Sequence, residues 1–408
     1  MQVPFPLNYS KDVILVSTAD WDNPFWTNKQ HVACELARRG YRVLYIDSLG
    51  LRRPSATAQD LGRIKHRLKK AFRAPQRVRD RLWVWSPLVI PFQKFSLIRS
   101  LNRVLLGAGL RFWMWRLGFA PDIFWTYNPM TLQFFNNDGF GCTVYHCVDE
   151  IKTQPGMPVE QIEAAESELV RRADVCFVTA EHLLESRKIL NGNTHYFSNV
   201  ADFSHFAKAR DEAIEVPRDF AVLPRPVIGF VGAISGYKVD FPLLKTMAER
   251  HPDWSIVLVG KVGEGDPWTD VSSLQALSNV RFMGPRDYHD LPACLKAFDV
   301  AILPCMLNDY TKSMFPMKFF EYLAAGRPVV ATALHALRAH ANVAYLAQNT
   351  DDFISGVEAA LRSESAPLEM RLEVAREQTY ECRTERMLRL LPQPYGIISA
   401  IESARAET

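Results

Sequence analysis

A lysine and a glutamate stand three residues apart in FPMKFFEYLAAGRPVVAT, residues 315–332, a stretch that is otherwise largely apolar. Pro316 suits the first position of a helix, because its missing N–H and fixed φ cost nothing there. Gly326, with a proline two residues later, is typical of a helix end, and the β-branched run after it predicts a buried strand. Lys318 and Glu321 are therefore expected on one edge of a short helix that begins at the loop end of a strand.

That position suits the diphosphate and ribose of a nucleotide. Unpaired N–H groups and the helix dipole attract phosphate, and a lysine in the first turn adds a mobile positive charge. A carboxylate one turn further along can accept hydrogen bonds from two neighbouring ribose hydroxyls. The alternative is an ordinary i, i+3 salt bridge on a solvated helix face.

The overall composition is that of a globular protein with two or three domains. The chain has 408 residues, of which 48% are hydrophobic and 23% charged. Its seven cysteines form no C-x-x-C pair and no cysteine–histidine cluster with zinc-binding spacing, so we expect reduced, packed thiols and no metal site. No signal-peptide pattern precedes KDVILVS, and no uncharged apolar run reaches about 18 residues. These features predict a cytoplasmic location without an integral membrane helix.

Short β-branched strands alternate with helical patterns along the whole chain. Strands are predicted at 13–17, 41–47, 122–127, 143–150, 173–180, 226–232, 254–260, 280–284, 298–304 and 328–332. This alternation indicates an α/β protein with two doubly wound, Rossmann-like domains, 1–205 and 206–370. A C-terminal segment, 371–408, is predicted to carry one helix at 371–391 that returns toward the first domain. Because ligands bind beyond the carboxyl ends of parallel strands, the loops of both domains are expected to line a shared cleft.

Positive charge is concentrated in one segment. Residues 52–116 contain sixteen Lys and Arg against two acidic residues, whereas the whole chain carries a net charge of only +3. RIKHRLKKAFRAPQRVRDR, residues 63–81, has the apolar spacing of an amphipathic basic helix, and tryptophan-rich segments broken by arginines follow it. We therefore predict that an insertion at 52–118 lies on an anionic membrane surface. The residues assigned to this contact are Arg63, Lys65, Arg67, Lys69, Lys70, Arg73, Trp113 and Trp115.

Two alternatives explain the basic segment differently. A nucleic-acid surface would need similar charge, but the sequence has no nucleic-acid-binding motif and its tryptophan and leucine content favours lipid, so no nucleic-acid partner is expected. Alternatively, part of the segment, Leu82 to Ile90, packs under the first domain.

The second half of the chain resembles a known family. The order of GFVGAISGYK, VLVG, NVRFMGPRDYHDLP, FDVAILP and PMKFFEYLAAGRPVVAT is similar to the nucleotide-sugar-binding domain of the GT-B glycosyltransferases, and NVADFSHF is similar to their interdomain junction. The similarity covers roughly residues 195–365 and is closest to bacterial envelope and exopolysaccharide transferases, including the xanthan glucuronosyltransferase type. It implies the GT-B fold, with 1–205 binding the acceptor and 206–370 binding the nucleotide sugar.

The resemblance implies roles for the residues of the donor site. Glu321 matches the carboxylate that binds the ribose hydroxyls. Lys318, preceded by Met317, matches the lysine that neutralises the diphosphate leaving group. Gly232 and Lys238 match the first glycine loop and its phosphate-binding cation.

Three further positions bear on the donor site. Arg286 and its neighbours in GPRDY match the loop whose backbone binds the edge of the base. Two positions depart from the family pattern: Ser313 stands where retaining members carry a second glutamate, and Ala233 stands where they carry an arginine. Both departures remove groups that retaining enzymes direct at the donor, so an inverting transfer is favoured.

An inverting transfer needs a base in the acceptor domain, which takes the proton of the attacking hydroxyl. Asp149, in YHCVDE at the end of a predicted strand, matches the base of the xanthan-type enzyme. Glu150 and His146 are close competitors, and Asp149 could instead cap a following helix. Acceptor or sugar contacts are assigned to Asp20, Trp21, His31 and His146, with a core or helix-surface position as the alternative for His31.

Together these patterns predict a glycosyltransferase that moves a sugar from a nucleotide-sugar donor, by default a UDP-sugar, to a lipid-linked saccharide in envelope or exopolysaccharide assembly. No metal or other cofactor is expected, because lysines and a helix N-terminus can stabilise the leaving diphosphate. The enzyme is expected in the cytoplasm, peripherally attached to the inner face of the cell membrane. Two alternatives remain open: a non-catalytic GT-B subunit that binds nucleotide sugar or a partner, and a transferase with a soluble acceptor.

Overall fold

The computed structural model describes residues 11–23, 26–50, 73–90, 95–264, 266 and 268–395. The chain divides into two compact units. The N-terminal unit comprises Met1–Val178, Leu183–Phe197 and Thr384–Thr408, and the C-terminal unit comprises Thr179–His182 and Ser198–Arg383.

The N-terminal unit is built on an eight-stranded sheet. Its strands are β1 (Asp12–Val16), β2 (Arg42–Ile46), β3 (Gln76–Arg79), β4 (Leu82–Trp85), β5 (Ile123–Thr126), β6 (Cys142–Cys147), β7 (Val175–Val178) and β8 (Thr194–Tyr196). They follow the order β3-β4-β2-β1-β5-β6-β7-β8, and every neighbouring pair is parallel except β3 with β4.

The C-terminal unit contains a six-stranded parallel sheet. Its strands are β9 (Val227–Val231), β10 (Ser255–Val259), β11 (Val280–Gly284), β12 (Val300–Leu303), β13 (Val329–Thr332) and β14 (Tyr345–Ala347), in the order β11-β10-β9-β12-β13-β14. Because the strand order reverses between β9 and β12, the sheet has the switch point at which ligands bind in doubly wound folds.

Helices connect these strands. They are α1 (Asn28–Arg38), α2 (Ser96–Leu117), α3 (Val159–Arg172), α4 (Glu181–Lys188), α5 (Phe203–Phe206), α6 (Arg218–Ala221), α7 (Phe241–Arg250), α8 (Ser272–Gln275), α9 (Leu291–Lys296), α10 (Asp309–Lys312), α11 (Lys318–Ala324), α12 (Thr350–Leu361), α13 (Leu368–Glu377) and α14 (Tyr380–Leu388). Short 3-10 turns lie at Thr131–Gln133, Ile151–Thr153, Ala207–Arg210, Tyr288–Asp290 and His335–His340.

Each sheet packs a hydrophobic cluster on both faces. In β9, Ile228 and Phe230 belong to one cluster, while Val227 and Val231 belong to the other. Successive side chains of a strand point to opposite faces, so a strand covered on both sides needs apolar residues at every position. This requirement is why the central strands appear in the sequence as continuous apolar runs.

The prediction of two doubly wound α/β domains is confirmed. All ten strands predicted from the sequence are present, and their ends differ from the predicted ends by at most three residues. The strands β3, β4, β8 and β14 were not predicted. The strand β4 pairs in parallel with β2, so the alternative that Leu82 and its neighbours pack within the first domain is confirmed for Leu82–Trp85.

The single helix predicted at 371–391 is wrong, because the structure has two helices, α13 and α14, in its place. The carbonyl oxygen of Gln378 accepts a hydrogen bond of 3.1 Å from the N–H of Ala201. Ala201 also forms a parallel bridge with Thr379. This local extended pairing interrupts the helix.

The 22-residue helix α2 lies in the segment predicted to contact a membrane. None of the helices in the described ranges combines the length and the apolar composition needed to cross a bilayer. Trp113 is half-buried against the N-terminal hydrophobic cluster, whereas Trp115 is 76% exposed. Arg73 is exposed. The other predicted contacts, Arg63, Lys65, Arg67, Lys69 and Lys70, lie outside the described residues.

Candidate active site

Lys318 and Glu321 form an ion pair in the first turn of α11. The Nζ atom of Lys318 lies 2.7 Å from Oε2 of Glu321, and the Glu321 side chain is only 3% exposed. Burial raises the pKa of Glu321, and the charge and hydrogen bond of Lys318 offset that effect only in part. The pair therefore does not lie on a solvated helix face, which excludes the ordinary surface salt bridge as its explanation.

The sequence predicts the end of α11 well and its start less well. Gly326 has a φ of +76°, the left-handed conformation expected of a residue that ends a helix. At the other end the helix begins at Lys318, with Met317 as its N-cap, so Pro316 lies before the helix and not at its first position. Met317 is half-buried.

Tyr322 fastens α11 to the carboxyl end of β9. Its hydroxyl accepts a hydrogen bond of 2.8 Å from the N–H of Val231 and lies 3.3 Å from the carbonyl oxygen of the same residue. The first glycine loop follows Val231 directly. The helix that carries Lys318 and Glu321 is thus fixed beside the loop that carries Gly232 and Lys238.

The glycines of this loop serve close packing. A Cβ on Gly232 would lie 2.8 Å from the ring of Phe230, and a Cβ on Gly260 would lie 1.8 Å from the carbonyl oxygen of Gly232. Lys238 is half-buried, with its Nζ 5.2 Å from the ring centre of Tyr237 and 5.3 Å from that of Tyr310. The two tyrosines hold a cation at the mouth of the loop.

Three residues near Glu321 were not identified from the sequence. The Tyr288 side chain is half-buried, and desolvation together with the charge of Glu321 raises its pKa. The ring of His205 stacks on Tyr288, with ring centres 4.3 Å apart, and its Nε2 donates a hydrogen bond of 2.8 Å to the Tyr288 carbonyl. Asp202 accepts a hydrogen bond of 3.0 Å from the His205 N–H. Asp202 and His205 both lie in the motif NVADFSHF. The motif was interpreted only as a domain junction, which gave no reason to place these two residues beside α11.

The same junction also holds the loop before α11. The Nδ2 atom of Asn199 donates a hydrogen bond of 2.6 Å to the carbonyl oxygen of Phe315. Ser313, earlier in that loop, is 1% exposed, and its hydroxyl has no hydrogen-bond partner among the residues that the structure describes. Buried hydroxyls without a partner are uncommon in folded proteins.

The side chain of Arg286 is engaged in contacts with α6. Its Nη2 atom forms an ion pair with Asp219 in α6, and its guanidinium lies 5.5 Å from the ring centre of Phe220. The side chain therefore ties the loop after β11 to α6. Binding of a base edge by this loop would fall to its backbone.

In the N-terminal unit, Asp149 follows the carboxyl end of β6 and is half-buried. Its carbonyl oxygen accepts a hydrogen bond of 3.0 Å from Ile151. The 3-10 turn that follows has Glu150 as its N-cap, so Asp149 does not occupy the capping position that was considered as its alternative role.

Glu150 is committed to a buried ion-pair network. Its two carboxylate oxygens each lie 2.7 Å from a nitrogen of Arg187, and Arg187 also binds Glu166 at 2.8 Å. The hydroxyl of Tyr145 donates a hydrogen bond of 2.6 Å to Glu166. Because both of its oxygens are occupied, Glu150 is poorly placed to accept a proton from a substrate.

His146 belongs to the core of the unit. It is fully buried, stacks on Tyr127 with ring centres 4.7 Å apart, and contacts the rings of Trp125 and Phe177. This position favours a packing role over a contact with a sugar.

Asp20, Trp21 and His31, which were predicted to contact the acceptor or the sugar, lie in the loop after β1 and in the helix α1 that follows it. The N–H of Trp21 donates a hydrogen bond of 2.7 Å to Asp47, a buried residue at the end of β2 that the sequence did not single out. The Trp21 ring contacts Trp26, and Trp26 contacts His31, which is 7% exposed in α1. Asp20 is half-buried and its carbonyl accepts a hydrogen bond of 3.2 Å from Gln30. These residues form one aromatic and polar cluster.

Part of the chain is similar to a known family. Residues 225–363 match the family model described as Glycosyl transferases group 1. A protein of Bacillus subtilis strain 168 named as the teichuronic acid biosynthesis glycosyltransferase TuaH is 31% identical over 236 residues, which are 54% of this chain and 57% of that protein. The match thus covers little more than half of that relative.

Solved structures share the fold across almost the whole chain. Sucrose-phosphate synthase from Thermosynechococcus elongatus superposes with a TM-score of 0.65 at 15% identity, covering 98% of this chain and 100% of that one. HepE of Anabaena, solved in complex with UDP, gives a TM-score of 0.58 at 13% identity, covering 92% and 98%. The chain therefore has the GT-B fold, and its residues 225–363 are similar to the glycosyl transferases group 1 family.

Proposed function

We propose that this protein transfers a sugar from a nucleotide-sugar donor to an acceptor hydroxyl in the assembly of a cell-envelope polysaccharide. The observation that carries the proposal is the buried Glu321, paired with Lys318 at the carboxyl end of the parallel sheet in the group 1 domain. The teichuronic acid relative supports an envelope product, and the UDP complex of HepE supports UDP as the nucleotide.

Donor binding would exchange the internal ion pair for contacts with the nucleotide. Glu321 accepts hydrogen bonds from the two ribose hydroxyls, while Lys318 and Lys238 bind the diphosphate. As the bond between the sugar and the diphosphate breaks, these cations stabilise the charge that develops on the leaving group. On this proposal the reaction needs no resident metal, so turnover should persist in EDTA.

Asp149 is proposed as the base. The acceptor oxygen attacks the anomeric carbon as the diphosphate leaves from the opposite face, and the hydroxyl proton passes to the Asp149 carboxylate. Ser313 and Ala233 support this inverting course, because neither can provide the charged groups that retaining members direct at the donor. The network of Glu150 and Arg187 would hold the Asp149 backbone in place.

The acceptor is proposed to be a lipid-linked saccharide that the protein meets at an anionic membrane surface. One face of α2 is buried through Leu106 and Leu110, while the opposite face exposes large apolar side chains. The exposed residues are Leu97, Leu101, Val104, Leu105, Phe112 and Trp115. Arginines 99, 103, 111 and 116 lie on the same helix. An exposed apolar face with adjacent cations is typical of helices that lie in a membrane interface.

A turnover assay tests the proposal. Purified protein is incubated with UDP-sugars, with and without a bacterial lipid extract, and release of UDP is measured. The proposal predicts UDP release that increases with the extract and survives EDTA. Binding of UDP-sugar without release under any condition would instead favour a non-catalytic subunit. Release that increases with a soluble glycan and not with lipid would favour a soluble acceptor.

A further inference from the structure

A cavity of about 670 Å³ lies in the C-terminal unit, apart from the residues described above. It is lined by Arg225, Asp299 and Pro328, which lie one or two residues before β9, β12 and β13, and by the chain between α12 and α13. Because the strands of this sheet are all parallel, these residues mark the amino ends of the strands. The loops of the proposed donor site follow the carboxyl ends of the strands, so the cavity lies at the opposite ends of the same strands.

Arg371 lines this cavity and has no hydrogen-bonded counterpart. It is 8% exposed, and its Nε and Nη1 atoms are buried without a hydrogen-bond partner among the residues that the structure describes. Burial and the neighbouring Arg327 both lower the pKa of its guanidinium. A buried, uncompensated arginine is costly to fold, so its presence calls for a compensating anion.

The two other cations near Arg371 are already engaged. Arg225 forms an ion pair with Asp299, and Asp299 also accepts a hydrogen bond of 2.7 Å from the N–H of Val227. Arg327 donates a hydrogen bond of 2.8 Å to the carbonyl oxygen of Phe298. The carboxylate in the cavity wall is thus satisfied by Arg225 and the β9 backbone, and it leaves Arg371 uncompensated.

The rest of the wall also favours an anion. The ten-residue helix α13 begins at the cavity after Pro367, whose side chain cannot cap the helix, so the first N–H groups remain for a ligand. Ser363 and Ser365 add hydroxyl donors to the same wall. Guanidinium, helix N–H and hydroxyl groups are together the donor set that binds phosphate in proteins.

We propose that this cavity is a second anion site, which binds a phosphate or phosphomonoester dianion through Arg371 and the N-terminus of α13. Its volume exceeds that of inorganic phosphate, so it can also accept a small organic group on the phosphorus. The site is independent of the donor site and does not rest on the proposed reaction.

The test compares thermal unfolding in potassium phosphate and in potassium chloride of equal ionic strength. The variants are Arg371→Gln at the cavity, Lys318→Ala at the donor site, and Arg250→Gln as an exposed arginine control in the same unit. We expect phosphate to raise the Tm of the wild type, Lys318→Ala and Arg250→Gln by about 2–4 °C, and to leave Arg371→Gln unchanged. Without phosphate, Arg371→Gln should unfold at or above the wild-type temperature, because it removes an uncompensated buried charge.

Two results would overturn the proposal: a phosphate response retained by Arg371→Gln, or a response lost in Lys318→Ala. If Arg371→Gln does not fold, Arg225→Gln provides the second test, since that side chain is 61% exposed and its loss is tolerable. Its removal should weaken phosphate binding about tenfold, because Asp299 would then face the phosphate without its own cation, and an unchanged affinity would count against the site. Replacing phosphate by glycerol 3-phosphate distinguishes the two sources, because stronger binding would indicate a phosphomonoester and equal or weaker binding inorganic phosphate.

Discussion

The two units each bury an ion pair beside a predicted site residue, and the two pairs are built differently. In the N-terminal unit, Arg187 binds two carboxylates, and the hydroxyl of Tyr145 completes the network on Glu166. In the C-terminal unit, Glu321 is bound by Lys318 from its own helix, and the pKa of its carboxyl is raised by burial. In the first network both carboxylates bind a buried arginine, whereas in the second a buried carboxylate is bound by a single, partly exposed lysine.

This difference separates a structural role from a binding role. A carboxylate whose oxygens are both held by a buried arginine cannot exchange its partner without a large loss of stability. A buried carboxylate held by a flexible lysine, which is itself 21% exposed, can release that lysine to a phosphate and take ribose hydroxyls in its place. Substitutions in the Arg187 network should therefore lower the stability of the fold, whereas substitutions in the Lys318 pair should mainly weaken nucleotide binding.

The largest expected effect is on the stability of the N-terminal unit. Arg187→Ala leaves Glu150 and Glu166 buried without their cation, and should lower the free energy of unfolding by about 3–5 kcal/mol. Arg172→Ala is the control, because its ion pairs with Asp138 and Glu168 are exposed and should contribute less than about 1 kcal/mol. Urea denaturation measures both losses. Equal small losses would mean that the network is not structural.

The next effect concerns the residue beside that network. Asp149→Asn should lower UDP release by at least about 10²-fold, because it removes the proposed base and keeps the shape of the side chain. UDP affinity and stability should be unchanged. Glu163→Gln, an exposed acid in the same unit, is the control and should keep full turnover. Full turnover in Asp149→Asn would rule out this residue as the base.

The same substitution at the two buried glutamates should have opposite effects on stability. Glu150→Gln should cost about 1–3 kcal/mol, because a neutral amide replaces the carboxylate that accepts two charge-assisted hydrogen bonds from Arg187. Glu321→Gln should be neutral or stabilising at pH 7. The pKa of Glu321 lies above its unfolded value of 4.5, so wild-type stability falls as pH rises from about 4.5 through the folded pKa.

Glu321→Gln lacks this fall, so its advantage over the wild type should appear above about pH 4.5, reach a constant value at higher pH and be absent at lower pH. Thermal unfolding between pH 4 and 8 gives the comparison. A variant that is less stable than the wild type at every pH would show that the Lys318 pair stabilises the fold, as the Arg187 network does.

The smallest expected effect lies outside both ion pairs, on the exposed face of α2. Trp115→Ala should reduce partitioning onto vesicles containing phosphatidylglycerol by about tenfold, with little effect on stability, because it removes a side chain that is 76% exposed. Ile189→Ala changes an equally exposed apolar residue of the same unit and should bind vesicles like the wild type. Sedimentation with vesicles measures this. Equal binding by both variants would remove α2 from the membrane contact.

The sequence predicts best what depends on neighbouring residues. The central strands were recognisable because burial on both faces requires a continuous apolar run. Lys318 and Glu321 were recognisable because one helical turn brings them together. The strand β4 was harder to recognise, because its Leu-Trp-Val-Trp sequence lies in a basic, tryptophan-rich segment whose composition is also typical of a membrane interface.

Features that depend on distant pairing could not be predicted in this way. Arg286 binds Asp219, which is 67 positions away, and His205 stacks on Tyr288 across 83 positions. The interruption between α13 and α14 depends on Ala201, from the domain junction. The spacing of neighbouring residues cannot predict these contacts, because only tertiary packing brings the partners together.

Lys318 and Glu321 are proposed to form a nucleotide-binding site, and calorimetric titration with UDP can decide whether they do. The wild type, Lys318→Ala, Glu321→Ala and the exposed control Lys245→Ala are titrated under the same conditions. We expect UDP to bind the wild type and the control alike, and to bind Lys318→Ala and Glu321→Ala about tenfold to a hundredfold more weakly. Equal UDP affinity in all four proteins, or no binding to the wild type, would contradict it.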